Sequence, residues 1–384
     1  MVQQMAKSVN SFSLLAIPFF ILMGEIMGAG GISDRLLKFA NVLVGRFRGG
    51  LAFVNVLASM FFGGISGSAV ADVSSLGKIE IPMMEDAGYD KDFSICVTVS
   101  SACQGLLIPP SHNMVLYAMT AGGVSVGRLF LAGYAPGILL GVALMVLCYI
   151  FAIKRNYPKG DPVSFKEALI ITKDAVFAIG AMFIIVGGVV AGLFTATEAA
   201  AIGCIYCLLV ATLVYHQLGF KDMGRILYNT VKTLAMIYSL IAAAGAFAWM
   251  MAYLRIPAKF TGMLMDVSDN KIVVLLLINV LLLMLGCIMD MAPLILIMTP
   301  ILLPVVQKFG MDPVQFGIML IANLAIGLLT PPVGSCLYAG CAVGGAKIEK
   351  VTKCMLPFYL TMVVVLLMIT FIPALSMTLP NLMM

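Results

Sequence analysis

Apolar residues occur along this chain in long continuous runs, interrupted by short polar segments. A run of about 20 apolar residues is long enough to cross a bilayer as a helix. Membrane-spanning helices are therefore predicted at residues 12–30, 128–153, 174–194, 196–215, 232–252 and 354–376. Continuous runs, as opposed to alternating ones, exclude a transmembrane β-barrel.

Two further apolar regions carry polar and helix-breaking residues where a simple span would have none. They contain G-G-I-S-G-S-A-V-A-D at residues 63–72, Pro-Pro at 109–110, G-C-I-M-D-M-A-P at 286–293 and Pro-Pro at 331–332. Proline lacks an N–H and clashes with the preceding turn, so each pair ends a helix. Backbone that leaves helical form within a membrane must be buried in protein or line a watery cavity. These four breaks are the predicted functional core.

The two interrupted regions are copies of one another. Five residues of the first recur 222 positions later: Gly64, Pro82, Gly88, Asp90 and Pro109 become Gly286, Pro304, Gly310, Asp312 and Pro331. Such a shared register indicates the internal duplication typical of secondary transporters. Span 196–215 has no counterpart ahead of residue 1, so we expect about 30–40 upstream residues to carry the opening helix of the first repeat.

Each copy predicts a connector along the membrane surface, a re-entrant helical hairpin and a helix broken at Pro-Pro. Placing the connector at 35–48 in the cytoplasm leaves 6 of the 23 Lys and Arg residues outside and 17 inside, as the positive-inside rule requires. The two hairpins then open to opposite faces. The predicted fold is an all-α polytopic membrane protein with two inverted repeats, each with a re-entrant hairpin and a Pro-Pro broken helix, which is the arrangement of secondary transporters.

This topology divides the chain into five segments. Residues 1–50 form a scaffold helix and interfacial arm of repeat 1, without its opening helix. Residues 51–127 and 272–346 each form a transport-domain hairpin with its broken helix. Residues 128–271 form scaffold and connecting helices with a second arm at 254–272, and residues 347–384 form a C-terminal transmembrane helix.

Composition narrows the function. The chain is 62% hydrophobic and 11% charged, against about 25% charged residues in soluble domains. Its net charge of +5 is small and scattered, which excludes nucleic acid as a partner. The nine cysteines lack metal-ligand spacing and are interpreted as packing residues. Two acids receive structural interpretations: Glu25 as a hydrogen bond between helices, and Glu198 in T-A-T-E as a capping box.

The breaks themselves suggest the chemistry. A helix interrupted in the membrane exposes free carbonyls, which suit Na⁺ together with side-chain oxygens, and free N–H groups, which suit a carboxylate. The predicted Na⁺ ligands are Ser66, Gly67, Ser68, Asp72, Asn113, Asp290, Pro293, Thr330, Gly334 and Ser335. The predicted substrate-binding residues are Ser66, Ser111, His112, Asn113, Gly334 and Ser335. The alternative for each hydroxyl is a bond to its own helix, and for Asp72 a supporting or capping role.

Several motifs resemble one known family. They are S-F-S-L-L-A-I-P-F-F-I-L-M-G-E from Ser11, I-S-G-S-A-V-A-D ending at Asp72, L-I-P-P from Leu107, G-L-F-T-A-T-E-A from Gly192 and G-L-L-T-P-P-V-G from Gly327. Together they resemble the large membrane subunit of tripartite ATP-independent periplasmic (TRAP) transporters. The resemblance covers essentially the whole chain.

This resemblance implies a Na⁺-coupled elevator importer in the bacterial inner membrane. It implies three partners besides the lipid bilayer: a small four-helix membrane subunit, a soluble periplasmic substrate-binding protein and an organic-acid substrate. The S-H-N at residues 111–113 looks closest to the sialic-acid branch, with a C4-dicarboxylate as the next expectation.

Three other functions fit parts of the sequence. A Na⁺/dicarboxylate symporter of the same architecture would work without a binding protein. A passive channel would be indifferent to ion gradients. An intramembrane protease could use the serine of G-I-S-G at residues 64–67 with His112 or His216 as the base, but the repeat duplicates the hairpin and not a serine–histidine pair. No enzymatic activity is therefore expected.

Overall fold

The computed structural model describes residues 1–160, 163–257, 259, 262, 268 and 270–384. Helices make up its regular structure, apart from an isolated β-bridge between Arg48 and Lys159. The first half contains α1 (Val2–Val9), a 3₁₀ turn (Phe12–Leu15), α2 (Ala16–Ala29), α3 (Ile32–Val44), α4 (Gly50–Ser66), α5 (Ala69–Ser75), α6 (Gly77–Asp86), α7 (Lys91–Gly105), α8 (His112–Ala121) and α9 (Val126–Lys154).

The second half follows the same plan. Its helices are α10 (Phe165–Val190), α11 (Ala196–Leu209) with a π-helical turn (Val210–Val214), α12 (Phe220–Tyr253), α13 (Lys271–Gly286), α14 (Met291–Lys308), α15 (Pro313–Gly327), α16 (Ser335–Gly344), α17 (Ile348–Phe371) and α18 (Pro373–Met383). We call α4–α6 hairpin 1 and α13–α14 hairpin 2. Broken helix 1 is α7 with α8, and broken helix 2 is α15 with α16.

The predicted all-helical membrane fold is confirmed. Six helices in the described residues are long and apolar enough to cross a bilayer, and α2 with α3 would make a seventh. Helix α3 bends away from α2 by 71°, as expected of a connector that turns along the membrane surface. In the matching connector at 254–272, residues 258, 260, 261, 263–267 and 269 lie outside the described residues. Helix α10 begins at Phe165, inside the segment expected to be a loop.

The repeat extends to the helix ends. Helices α7 and α15 begin and end 222 residues apart, at 91 and 313 and at 105 and 327. The second arms of the hairpins begin at Ala69 and Met291 and end at Asp86 and Lys308, again 222 apart. The helices therefore start and stop where the matching Gly, Pro and Asp residues predict.

The two ends of α9 show that the hairpins open to opposite faces. At its last turn, Arg155 Nη1 lies 2.6 Å from Asp90 Oδ2 in the open end of hairpin 1. At its first turn, Arg128 donates to Asn381; nearby, Tyr117 on α8 donates to the Pro313 carbonyl beside the open end of hairpin 2. Because α9 spans the membrane, these contacts lie on opposite sides.

The open end of hairpin 1 is fastened to its neighbours by charged and polar contacts. Tyr157 donates a 2.7 Å hydrogen bond to the Asp90 carboxylate, and this bond, together with Arg155, lowers the pKa of Asp90 below its ordinary value. Lys350 at the start of α17 pairs with Asp92 at 2.8 Å. The start of broken helix 1, just after the open end of hairpin 1, is thus joined to α9 and α17 at one membrane surface.

Each hairpin crosses its broken helix at a pair of glycines. Gly63 meets Gly105 where α4 crosses α7, and Gly286 meets Gly327 where α13 crosses α15. A Cβ at Gly105 would lie 2.5 Å from the Ser59 carbonyl oxygen, and one at Gly327 would lie 2.6 Å from Gly286 Cα. Small residues let membrane helices approach closely, so these crossings bring the hairpin tips to the breaks.

Buried amides add polar links at the same crossings. In repeat 1, Asn55 on α4 donates to Thr98 at 2.7 Å and accepts from Ser101 at 2.6 Å. In repeat 2, Asn323, which corresponds to Ser101, donates to the Asn279 side chain on α13 at 2.9 Å. Such bonds specify how membrane helices pair because an unpaired amide is costly in hydrocarbon.

Two structural interpretations from the sequence are confirmed. Asn229 on α12 donates to the Glu25 carboxylate at 3.2 Å, which links α12 to α2. Thr195 and Glu198 form the predicted capping box at the start of α11. Both acids hold scaffold helices in place.

The glycine crossing makes a direct prediction about stability. Gly105→Ala forces α4 and α7 apart, and overpacking of this kind costs about 1–3 kcal/mol. We expect a lower melting temperature in detergent for Gly105→Ala. Gly187→Ala is the matched control because a Cβ there meets nothing within 4 Å. Equal melting temperatures for the two variants would contradict the close crossing.

Candidate functional site

The tip of hairpin 1 is a tight turn formed by two small residues. Helix α4 ends at Ser66, and Gly67 has a φ of +61°, which glycine adopts without strain. Ser68 then caps α5, its Oγ accepting from the Ala71 N–H at 3.3 Å. A Cβ on Gly67 would lie 2.2 Å from His112 Nδ1. The tip therefore sits directly against the first break.

The first break supplies polar groups to that tip. After Pro109-Pro110 the chain is extended at Ser111, and α8 begins at His112. Asn113 Nδ2 donates a 2.8 Å hydrogen bond to the Gly67 carbonyl. Ser111 Oγ is buried and has no hydrogen-bond partner in the described residues. The break thus holds the tip through Asn113 and leaves one buried oxygen available to a ligand.

The second tip and break repeat this contact with different residues. Hairpin 2 turns between Gly286 and Met291, and the Val333 N–H of the second break donates to the Cys287 carbonyl at 3.1 Å. Gly334 has a φ of +48° and precedes α16. Ser335 Oγ is buried without a hydrogen-bond partner among the described residues.

The two sites adjoin each other. Helix α16 of the second break packs on α5 and α7 of repeat 1. Cys336 Sγ lies 3.9 Å from the Val99 carbonyl oxygen, and a Cβ at Gly340 would lie 2.3 Å from Val99. Residues of the two halves therefore enclose one region at the centre of the molecule.

The predicted ligands differ in where the structure places them. Gly67, Ser68, His112 and Asn113 come together at the first tip, whereas the Ser66 side chain lies outside the described residues. At the second site, Gly334 and Ser335 follow Val333, whose N–H donates to the Cys287 carbonyl of the tip, so both residues lie beside the tip. Thr330 Oγ1 donates to the Ile326 carbonyl at 2.8 Å, the own-helix bond that was the alternative for each hydroxyl. Asp290 caps α14 with an exposed side chain, and Pro293 lies half-buried in its first turn.

Asp72 lies inside hairpin 1 and away from its tip. Its side chain is 1% exposed, with the Ser59 hydroxyl facing it. Glu80 on the same hairpin arm is 0% exposed, although no sequence motif singled it out. Neither of its carboxyl oxygens has a hydrogen-bond partner among the described residues. Its neighbour Ile79 is exposed, so the local pattern of apolar residues gave no signal of this burial.

The donor set at the breaks fits a hard monovalent cation. Carbonyl, hydroxyl and carboxylate oxygens are ligands for hard cations, whereas transition metals favour His and Cys. Ser111 Oγ and Ser335 Oγ are buried and without partners in the described residues, and the buried Asp72 carboxylate faces the Ser59 hydroxyl. In that part of the chain, no group of three His, Cys, Asp or Glu side chains could hold a metal ion.

A cavity of about 550 Å³ leads from the first tip toward one membrane surface. Its walls are hairpin 1 on one side and helices α2, α3 and α12 on the other. Ser68 and His112 line its inner end, and the exposed side chains of Asp34, Lys78 and Arg225 lie toward its mouth. The mouth is on the side where hairpin 1 opens, so the first tip is reached from that face.

Solved structures support the fold. The Alcanivorax borkumensis YdaH transporter matches with a TM-score of 0.70 at 16% identity, covering 97% of this chain and 88% of that one. At this identity the similarity concerns the fold alone.

Full-length relatives identify the family. The chain is 44% identical over 380 residues to the uncharacterized protein YgiK of Salmonella typhimurium, covering 99% of this chain and 87% of YgiK. It is 40% identical to the sialic acid TRAP transporter large permease SiaM of Vibrio cholerae, covering 99% and 89%. It is also 40% identical to the C4-dicarboxylate TRAP transporter large permease DctM of Pseudomonas aeruginosa, covering 98% and 88%.

The family model for the DctM component of tripartite ATP-independent periplasmic transporters matches residues 1–375. This match spans both hairpins, both breaks and the cavity. The chain therefore belongs to the DctM family of large membrane subunits of TRAP transporters.

Proposed function

We propose that this chain is the Na⁺-coupled subunit that carries an organic acid across the bacterial inner membrane. One observation carries the proposal: in each of two inverted halves, a hairpin tip is hydrogen-bonded to a Pro-Pro break. The bonds run from Asn113 to Gly67 and from Val333 to Cys287. Paired helix breaks at the membrane midplane are where secondary transporters bind ions and substrates.

Na⁺ coupling follows from the oxygen-rich lining of these breaks. Bound Na⁺ would supply positive charge that neutralises carboxylates and favours closure of each tip on its break. In repeat 1 the proposed ligands lie around Gly67, Ser68, Asn113 and Asp72. In repeat 2 they lie around Asp290, Pro293, Thr330, Gly334 and Ser335. Thr330 donates its hydroxyl hydrogen to Ile326, which leaves both oxygen lone pairs free for a cation.

An elevator movement is supported by the cavity. Part of hairpin 1 is separated from α2 and α12 by about 550 Å³ of open space, and this space supports a movement of the hairpin relative to those helices. Such a movement would have to break the contact of α3 with α4, where Leu37 and Ala40 pack on Val54 and Ala58. The first tip is reached from the side where the cationic loops gather, which the positive-inside rule places in the cytoplasm. We infer that this arrangement is the inward-facing, substrate-releasing state.

The substrate is proposed to be an anion. The relatives are named for sialic acid and C4-dicarboxylates, which carry carboxylates at neutral pH. Ser111, His112 and Asn113 lie at the first tip, where hydroxyl, imidazole and amide groups can hydrogen-bond such a group. Sialic acid or a related sugar acid is the first candidate, and a C4-dicarboxylate is the second.

Two protein partners complete the proposed transporter. Membership of a tripartite family supports a small membrane subunit beside the scaffold helices and a periplasmic binding protein that delivers the substrate. Family membership also favours transport over the protease and channel alternatives. Whether uptake requires the binding protein distinguishes the proposal from a symporter that works without one.

Uptake into proteoliposomes tests the proposal. The full-length protein, its small subunit and its binding protein are reconstituted, and labelled sialic acid is supplied with or without an inward Na⁺ gradient. We expect uptake to require both Na⁺ and the binding protein, and Asp290→Asn to abolish the Na⁺ stimulation in a folded protein. If Na⁺ drives uptake of succinate and not of sialic acid, the substrate is a C4-dicarboxylate and the proposed mechanism still holds. Flux indifferent to Na⁺ and to the binding protein would overturn the proposal.

The bond between tip and break makes a second prediction. Asn113→Ala leaves the buried Gly67 carbonyl without its donor, which costs about 1–3 kcal/mol. We expect a lower melting temperature and faster hydrogen exchange at residues 67–71. Asn381→Ala is the control because its contact with Arg128 is exposed, and surface changes usually stay within about 0.5 kcal/mol. Unchanged exchange at the tip would show that Asn113 does not hold it.

A further inference from the structure

One basic side chain that lines the cavity beside hairpin 1, that of Lys78, plays no part in the function proposed above. Lys78 lies on α6, and its exposed side chain lines the cavity. Arg225, on the opposite wall, pairs with Asp222 at 3.5 Å. The ion pairs of the described residues do not include Lys78. Its ammonium group is therefore free to meet an anion in the cavity.

Lys78 stands at the outer end of a polar stripe that begins at the tip. Ser68, Ala71, Ser75 and Lys78 all line the cavity, and spacings of three and four residues place them on one helix face. Leu76, between α5 and α6, keeps helical dihedrals, so the stripe is nearly straight. At 1.5 Å per residue, Lys78 lies about 15 Å from Ser68 toward the mouth.

The wall opposite this stripe is less suited to hold an anion. It carries two carboxylates, Glu25, which is bonded to Asn229, and Asp34 on α3. Its cation, Arg225, already pairs with Asp222, so the acids of this wall outnumber its unpaired cations. An anion leaving the tip would therefore follow the wall of hairpin 1, where serine hydroxyls lead to the lysine.

We propose that Lys78 is a second carboxylate-binding station, which holds the acid group of the substrate between the tip and the cytoplasm. A flexible lysine in a partly enclosed cavity attracts a carboxylate without fixing its orientation, which suits a transient stop. The inference rests on the proposed function because it takes the transported solute to be an organic acid. A lysine that is merely solvated at the membrane surface would show none of the effects below.

Charge replacement at this position tests the station. Lys78→Cys in the reconstituted complex is expected to lower uptake at limiting substrate about threefold to fivefold, the range of a partly exposed ion pair. Treatment with 2-aminoethyl methanethiosulfonate restores a lysine-like cation and should restore uptake. The 2-sulfonatoethyl reagent adds a negative charge and should lower uptake further. Lys154→Cys, at the exposed end of α9, is the matched control. Wild-type protein treated with the same reagents shows how much modification of the native cysteines affects uptake.

A labelling assay without transport separates the two proposals. The 2-sulfonatoethyl reagent is added to the purified complex, and the modification rates of Ser75→Cys and Lys154→Cys are compared with and without sialic acid or succinate. Ser75 is exposed in the same cavity three residues from Lys78, so a cysteine there reports on an anion held by the intact lysine. Slower labelling at position 75 alone supports the station, even if uptake assays reject the proposed function. Normal wild-type uptake, with Ser75→Cys labelled alike with and without substrate and Lys78→Cys transporting like Lys154→Cys, would overturn the station and leave the proposed function intact.

Discussion

The structure depends on one constraint: backbone groups freed by a break inside the membrane must find partners within the protein. Here hairpin tip and break supply partners to each other. The Asn113 side chain of the first break donates to the Gly67 carbonyl of its tip, and the Val333 N–H of the second break donates to the Cys287 carbonyl of its tip. Tip and break must therefore touch. Glycine pairs at the helix crossings allow the approach, and buried amides on the same helices fix which arm meets which helix.

Because the repeats are inverted, the two hairpins open toward opposite membrane surfaces. The contacts at the ends of α9 place the open end of hairpin 1 at one surface and that of hairpin 2 at the other. Helix α16 of the second break packs on α5 and α7 of the first half, so elements of both halves meet at the centre of the molecule. The cavity that ends at Ser68 and His112 shows the route open from the side of hairpin 1. Because the chain belongs to the DctM family, this geometry is that of the large membrane subunit of a tripartite transporter.

Much of this fold could be predicted from the sequence because certain residues determine the backbone structure next to them. Pro109-Pro110 and Pro331-Pro332 act on the backbone directly, so the helix ends beside them followed without tertiary information. The burial of Glu80 did not follow, since I-E-I-P-M-M-E-D suits a surface helix equally well and only the packing of α7 decides. The bond of Thr330 to its own helix and the exposure of Asp290 depend on side-chain rotamers and on neighbouring segments. The cavity was also hidden, because its walls come from α2, α6 and α12, which are distant in sequence.

The central claim is that equivalent ends of the two hairpins face opposite sides of the membrane. Asp86 and Lys308 are exposed and occupy the same position in the two repeats, 222 residues apart. The most direct test introduces a cysteine at each position and labels it with an impermeant thiol reagent in right-side-out and inside-out membrane vesicles, with wild-type protein as the background. The account predicts labelling of Asp86→Cys from the cytoplasmic face and of Lys308→Cys from the periplasmic face. Labelling of both positions from the same face would contradict it.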